Sequence, residues 1–126
     1  MKLAKNIALL PIAREGMGSL NLVLAWDDNH LVLIDAGISV QTDDIVKAIS
    51  DQGHNAQDLT HIIITHQDWD HTGCVTDLQK LAPDGEVVGS NPVHTHDMAM
   101  ADRSLRKIMG YDLSGVVAYH TGFLEV

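Results

Sequence analysis

The apolar positions of the chain fall first into short extended runs. Ile7 to Ile12 is one, Leu20 to Trp26 follows a Gly16/Gly18/Ser19 turn, and Leu31-Val32-Leu33-Ile34 follows the polar Asp27-Asp28-Asn29. Runs of this length between turn residues predict strands, and the short polar loop joining the second and third predicts an antiparallel hairpin. The third run ends in the turn Asp35-Ala36-Gly37. The period then changes. Ile45, Val46, Ala48 and Ile49 recur at helical spacing behind Thr42 as N-cap, with Asp43 and Asp44 in the first turn and Gly53 just past the end. Ile62-Ile63-Ile64 is a continuous β-branched run, which predicts a central strand buried on both faces. Val75, Leu78, Leu81 and Ala82 return to helical spacing until Pro83, and Glu86-Val87-Val88 reads as a short strand. A second long helix is predicted from near Pro92 or Val93 to Met109, with Met98, Met100, Leu105, Ile108 and Met109 as apolar filler and Arg103, Arg106 and Lys107 near its end at Gly110. Val116 to Tyr119 is the last short strand. Strands alternating with helices indicate an α/β fold.

Composition narrows this. A length of 126 residues predicts one domain, 1–126. Apolar residues at 45% and charged residues at 20% are ordinary globular usage, which excludes a disordered or low-complexity chain. The net charge of -9 argues against nucleic acid and anionic membrane as partners, since both attract a positive field. No apolar run approaches the ~18 residues of a spanning helix. Lys2 and Lys5 ahead of Ile7–Ala13 have the outline of a signal peptide, but the stretch is short and Arg14-Glu15 follow at once, so a first strand is the expectation. The single cysteine, Cys74, forbids an internal disulfide and reads as a small core residue. A reducing, cytoplasmic setting is the matching expectation.

The unusual figure is eight histidines. Histidine is the commonest metal ligand. Thr65-His66-Gln67-Asp68-Trp69-Asp70-His71-Thr72-Gly73 packs four metal-capable side chains, His66, Asp68, Asp70 and His71, behind the strand predicted at Ile62–Ile64. Sites in open α/β sheets form beyond the carboxyl ends of strands. Residues 66, 68 and 70 alternate, so a near-extended segment projects them to one side. His66 and Asp68 suit one metal, Asp70 and His71 a second.

Thr65 to Gly73 resembles the Thr-His-x-His-x-Asp-His-x-Gly signature of the metallo-β-lactamase superfamily. Leu33-Ile34-Asp35-Ala36-Gly37 and Leu59-Thr60-His61-Ile62-Ile63-Ile64 are similar to the strand-and-turn and the strand that precede it there. The resemblance spans residues 7 to about 90 in family order. It implies an αββα sandwich, here incomplete or truncated, with a divalent metal at one edge. It also implies a metal-activated water that attacks an ester, lactone, thioester, amide or phosphoester of a small-molecule substrate. Val117-Ala118-Tyr119-His120-Thr121-Gly122 resembles the stretch of the family's third histidine, so His120 joins His66 and Asp68 as a candidate ligand. Asp70 is the candidate catalytic carboxylate, placed to orient the water or take its proton. Asp35 is implied to organise the site from behind the ligands. Asp68 stands where the family pattern has histidine. Zinc is the expected metal, and the harder carboxylate moves the preference toward iron or manganese; flavodiiron proteins of the superfamily carry a glutamate at the matching place. Nothing after His120 matches the family's bridging aspartate or fourth histidine, so a homodimer is expected to complete the sandwich. A non-catalytic metal-binding or interaction protein on half of the fold is the alternative to a hydrolase, and a redox diiron protein is a third reading.

The other candidates carry blander readings. His94-Thr95-His96-Asp97 looks metal-like but suits a helix start with solvent-facing histidines. His61 reads as a surface or edge residue, and His30 and His54 lie in turns without a role. Trp69 either packs over the motif or lines a cleft, and packing is the expectation.

Overall fold

The computed structural model describes residues 1–65, 68–89, 103, 107, 115–120 and 122–125. Their centre is a six-stranded sheet of β1 (Lys2–Ala4), β2 (Ile7–Arg14), β3 (Gly18–Trp26), β4 (Leu31–Ile34), β5 (His61–Ile64) and β6 (Glu86–Gly89), in that order. The first four strands form an antiparallel meander. β5 and β6 add in parallel, each after a helical crossover. The crossovers carry α1 (Thr42–Asp51) and, between β5 and β6, α2 (Trp69–Thr72) and α3 (Val75–Leu81). A separate antiparallel pair, β7 (Gly115–Ala118) and β8 (Gly122–Glu125), stands as a second, two-stranded sheet. This is the α/β layering that the alternation predicts.

Period-two alternation sorts the strands into a helix face and an opposite face. Ala8, Leu24, Leu33 and Ile62 are in register across β2 to β5, and all are buried. Ile45 and Ile49 of α1, Leu78 of α3 and Cys74 complete that core. The buried Cys74 thiol donates to the Ile38 carbonyl at 2.8 Å, as befits a core residue. The next row, Leu9, Val23, Ile34, Ile63 and Val88, lies on the opposite face. Leu9 is buried, Val23 and Ile34 are half-buried, and Ile63 and Val88 are 37% and 42% exposed. The Ile62–Ile64 run is therefore buried on one face, contrary to the expectation of two, because among the described residues α1 and α3 cover one side alone. Ile62→Val should cost about 1 kcal/mol, the usual value for a buried methylene. Ile63→Val should stay within about 0.5 kcal/mol. Urea midpoints of the two variants read the difference.

Other boundaries shift. Ile7–Ile12 extends to Arg14 and is preceded by β1. The residue ahead of α1 is Gln41, not Thr42, and its side chain makes no capping bond. Gln41 is buried instead, its Nε2 donating to the Ala13 carbonyl at 2.9 Å and its Oε1 accepting from Ile38 N–H at 3.1 Å. β7 begins at Gly115 and leaves Tyr119 in the turn, and β8 had no counterpart in the pattern. Most of the helix predicted from near residue 92 to Met109, with His94, His96 and the methionines, lies outside the described residues; Arg103 and Lys107 are helical and exposed. Among the described residues no helix is long and apolar enough to cross a membrane.

Candidate metal centre

The site begins at the carboxyl end of β4. Asp35 takes the left-handed conformation, φ 64°, which aspartate tolerates better than most residues. Its N–H donates to the Ile63 carbonyl at 2.8 Å, which ties the turn to β5. Its buried carboxylate accepts from Thr65 N–H at 2.9 Å and from the Thr65 hydroxyl at 2.9 Å. The His71 Nδ1 is 2.9 Å away from the same carboxylate. An imidazole that donates Nδ1–H to a carboxylate carries its lone pair on Nε2, the arrangement that prepares histidine for a metal. Asp35 thus stands behind His71, where the family resemblance puts it.

The motif does not run on in an extended conformation. Asp68 is extended and exposed, but Trp69–Thr72 winds into one helical turn closed by His71 N–H and Thr72 N–H on the Asp68 carbonyl, at 3.0 and 3.2 Å. Three backbone bonds bind this turn to the Asp35 loop: Ala36 N–H to His71 O at 2.7 Å, Gly73 N–H to Gly37 O at 2.8 Å and Cys74 N–H to Ala36 O at 3.0 Å. The expected alternation of residues 66, 68 and 70 is therefore broken at Trp69, and the helical turn carries Asp70 and His71 toward the β7–β8 hairpin.

There His120 meets them. Asp70 Oδ2 lies 3.8 Å from His71 Nε2 and 3.5 Å from His120 Nε2. One donor atom from each of the three residues lies within 4.8 Å of the others. Donors bonded at about 2.0–2.2 Å around one tetrahedral ion stand about 3.5 Å apart, so small side-chain rotations close this set. Two imidazoles and a carboxylate, with the buried imidazole already oriented by Asp35, fit a divalent metal. The grouping differs from the expected one. His120 stands with Asp70 and His71, the pair assigned to a second metal, whereas His66 lies outside the described residues.

Three residues without an assigned role hold this centre. Thr65 bridges β5 to Asp35. The Tyr119 ring stacks on the His71 ring with centroids 3.9 Å apart, and its hydroxyl donates to the Asp70 carbonyl. Burial, with the Asp35 and Asp70 carboxylates beside it, pushes the Tyr119 phenol above its ordinary pKa and keeps it a donor. Asn21 donates twice to the Tyr119 carbonyl, from N–H at 2.8 Å and Nδ2 at 2.9 Å. The sequence signal for Asn21 is a polar residue in the apolar run Leu20-Asn21-Leu22. A cavity of about 490 Å³ opens beside His71, walled by Val23, Ile34, Val117 and Tyr119, with Asn21, Asp35 and Thr65 as its polar groups. Trp69 is not packed: it is 62% exposed, with the Arg14 guanidinium 5.3 Å above its ring. His61 is half-buried at the Thr60 hydroxyl, His30 pairs with Asp27 and His54 lies against Trp26, all away from this centre.

Comparison with known proteins agrees with this architecture. A subclass B3 metallo-beta-lactamase of Bradyrhizobium japonicum superposes with a TM-score of 0.59 at 22% identity, over 69% of this chain and 31% of that one. A Cronobacter sakazakii metallo-beta-lactamase with a HARLDQ motif gives 0.62 at 23% identity, over 81% of this chain and 36% of that one. The chain therefore spans about a third of the length of these structures. Among curated protein sequences nothing matches. The sequence model of the metallo-beta-lactamase superfamily matches residues 16–124, nearly the whole chain, and to that superfamily the chain belongs.

Proposed function

We propose that the chain is a metal-dependent hydrolase domain whose ion is held by Asp70, His71 and His120. The convergence of these three donors, with His71 oriented by Asp35, carries the reading. Two histidines and a carboxylate are a catalytic zinc set with room for a further ligand; iron or manganese also suits it, the more so with Asp68 close along the chain. The bound ion supplies Lewis acidity and a water made acidic enough to serve as nucleophile near neutral pH.

The chain's own groups supply the rest. Asp35 holds the His71 proton on Nδ1 and so keeps Nε2 available. Asp70 directs Oδ2 at both imidazoles, and its carboxylate is the base for the proton of the attacking water. The mostly apolar cavity beside His71 favours an ester, lactone or thioester with an apolar acyl part, its carbonyl end toward Thr65 and His71.

Elemental analysis of the untagged protein tests the centre. About one metal ion per chain is expected, and loss of it in an Asp70→Ala, His71→Ala double variant. Hydrolysis of a generic aryl ester or lactone that disappears with the metal supports the enzyme. Full occupancy without turnover makes the chain a metal-binding module, and no metal after reconstitution with zinc, iron and manganese ends the reading.

A further inference from the structure

We propose that Tyr119 is the positioning residue that sets the third metal donor, a role that rests on the metal centre formed by Asp70, His71 and His120. His120 is mostly exposed, and it sits in the three-residue turn of a two-stranded hairpin. A two-stranded hairpin holds little shape of its own in water. The place of His120 is therefore decided by what fastens the hairpin to the large sheet and to α2. The residue before it is fastened at three points, in three directions. Asn21 of β3 grips the Tyr119 carbonyl with two hydrogen bonds of 2.8 and 2.9 Å. The Tyr119 ring lies on the His71 ring at 3.9 Å, 26° from parallel. Its hydroxyl donates to the Asp70 backbone carbonyl. The side chain of Tyr119 thus touches both of the other donor residues. It also stands edge-on to the His120 ring, centroids 5.2 Å apart.

The consequence is specific. Asp70 and His71 belong to one helical turn and keep their relation without Tyr119, because the turn is closed by its own backbone bonds and by the Asp35 loop. Among the described residues His120 has no such backbone closure, and it arrives from 49 residues further along the chain than His71. Tyr119 therefore acts on metal affinity chiefly through His120, since the Asp70 and His71 it touches are already held by the Asp35 loop. Groups that orient ligands in this way are worth about 10- to 100-fold in affinity. The hydroxyl bond alone is worth about 3-fold, the range of one neutral hydrogen bond.

A double-mutant cycle on the full chain tests this, with zinc competed against a chromogenic chelator and folding followed by circular dichroism. Tyr119→Ala is expected to weaken zinc binding about 10-fold or more, and Tyr119→Phe about 3-fold. In a His120→Ala background neither change should weaken zinc further, because the donor they position is gone. A merely structural tyrosine would weaken binding by the same factor in both backgrounds, and that result overturns the proposal. So does a Tyr119→Phe protein that binds zinc as tightly as the parent, which decides the matter where Tyr119→Ala does not fold. Unchanged affinity in His120→Ala itself overturns the three-donor centre together with the role of Tyr119. Multiplying losses, with His120→Ala itself weak, overturn the role of Tyr119 alone.

Discussion

Replacing Asp35 with alanine is expected to lower the folding free energy by about 3 kcal/mol. Its carboxylate receives Thr65 N–H, the Thr65 hydroxyl and His71 Nδ1, all at 2.9 Å, with the Asp35 and His71 side chains buried and Thr65 at the exposed rim. A buried donor that loses its acceptor costs about 1–3 kcal/mol. The hydroxyl recovers part of this by rotating, and it also lies 3.3 Å from His71 Nδ1, so the ring keeps a weaker neighbour. Alanine at φ 64° keeps the same Cβ crowding as aspartate and loses only the polar side chain that eases it, which adds roughly a few tenths of a kcal/mol at most. Against a total of about 5–15 kcal/mol the loss is visible as a large fall in the urea midpoint. Asparagine separates this from function. It keeps the volume and tolerates the left-handed backbone, but its amide offers one acceptor oxygen where the carboxylate offers two. Asp35→Asn should fold, with zinc affinity reduced about 10- to 100-fold as His71 loses its fixed tautomer. A zinc affinity equal to the parent's would mean that His71 is not a ligand through Nε2.

Gly73→Ala is the second large effect, and it comes from space alone. The residue has an ordinary negative φ of -57°, so alanine suits its backbone. A Cβ there would lie 2.4 Å from Ser39 N and 2.5 Å from Ile38 C and Cα. All three are backbone atoms, so no side chain can swing aside. Either the Ile38–Ser39 segment or the end of α2 must move, and the Gly73–Gly37 and Cys74–Ala36 hydrogen bonds lie in the way. Overpacking of this kind costs about 3 kcal/mol. Because the same bonds fix His71 against Asp35, the folded fraction should also bind zinc less tightly. A urea midpoint within error of the parent's would show that the two loops are not in contact.

The chemistry of the motif was legible because it is dense: His66, Asp68, Asp70 and His71 crowd into six residues behind a strand. The meander was legible because its turns are short and rich in Gly, Asp and Asn. Other features depend on partners far along the chain. Ile63 looks like Ile62 and Ile64 in sequence, and only the absence of helices on its side of the sheet, among the described residues, leaves it exposed. The helical turn Trp69–Thr72 is too short to announce itself. It exists because Ala36 and Gly37 bind its end, and it brings Asp70 and His71 beside His120. Tyr119 and Asn21 are 98 residues apart, and no local pattern joins them. His120 was singled out by family likeness, and among the described residues it lies beside Asp70 and His71.

The turn at Asp35 also divides the molecule by the length of chain each contact must close. Before it, β2, β3 and β4 are joined by loops of a few residues. After it, β5 reaches β4 only when α1 has been traversed, and His71 and His120 come from further still. Closure entropy rises with loop length, so the meander assembles cheaply and its β4 edge is a template for the parallel strands β5 and β6. The three donors converge only when the last pieces have docked. Early states of the chain lack the grouping of Asp70, His71 and His120, so under the proposed centre metal affinity and the completion of folding would be one free energy seen from two sides. An ion taken up by the proposed centre would act as a latch on a nearly finished structure rather than as its seed.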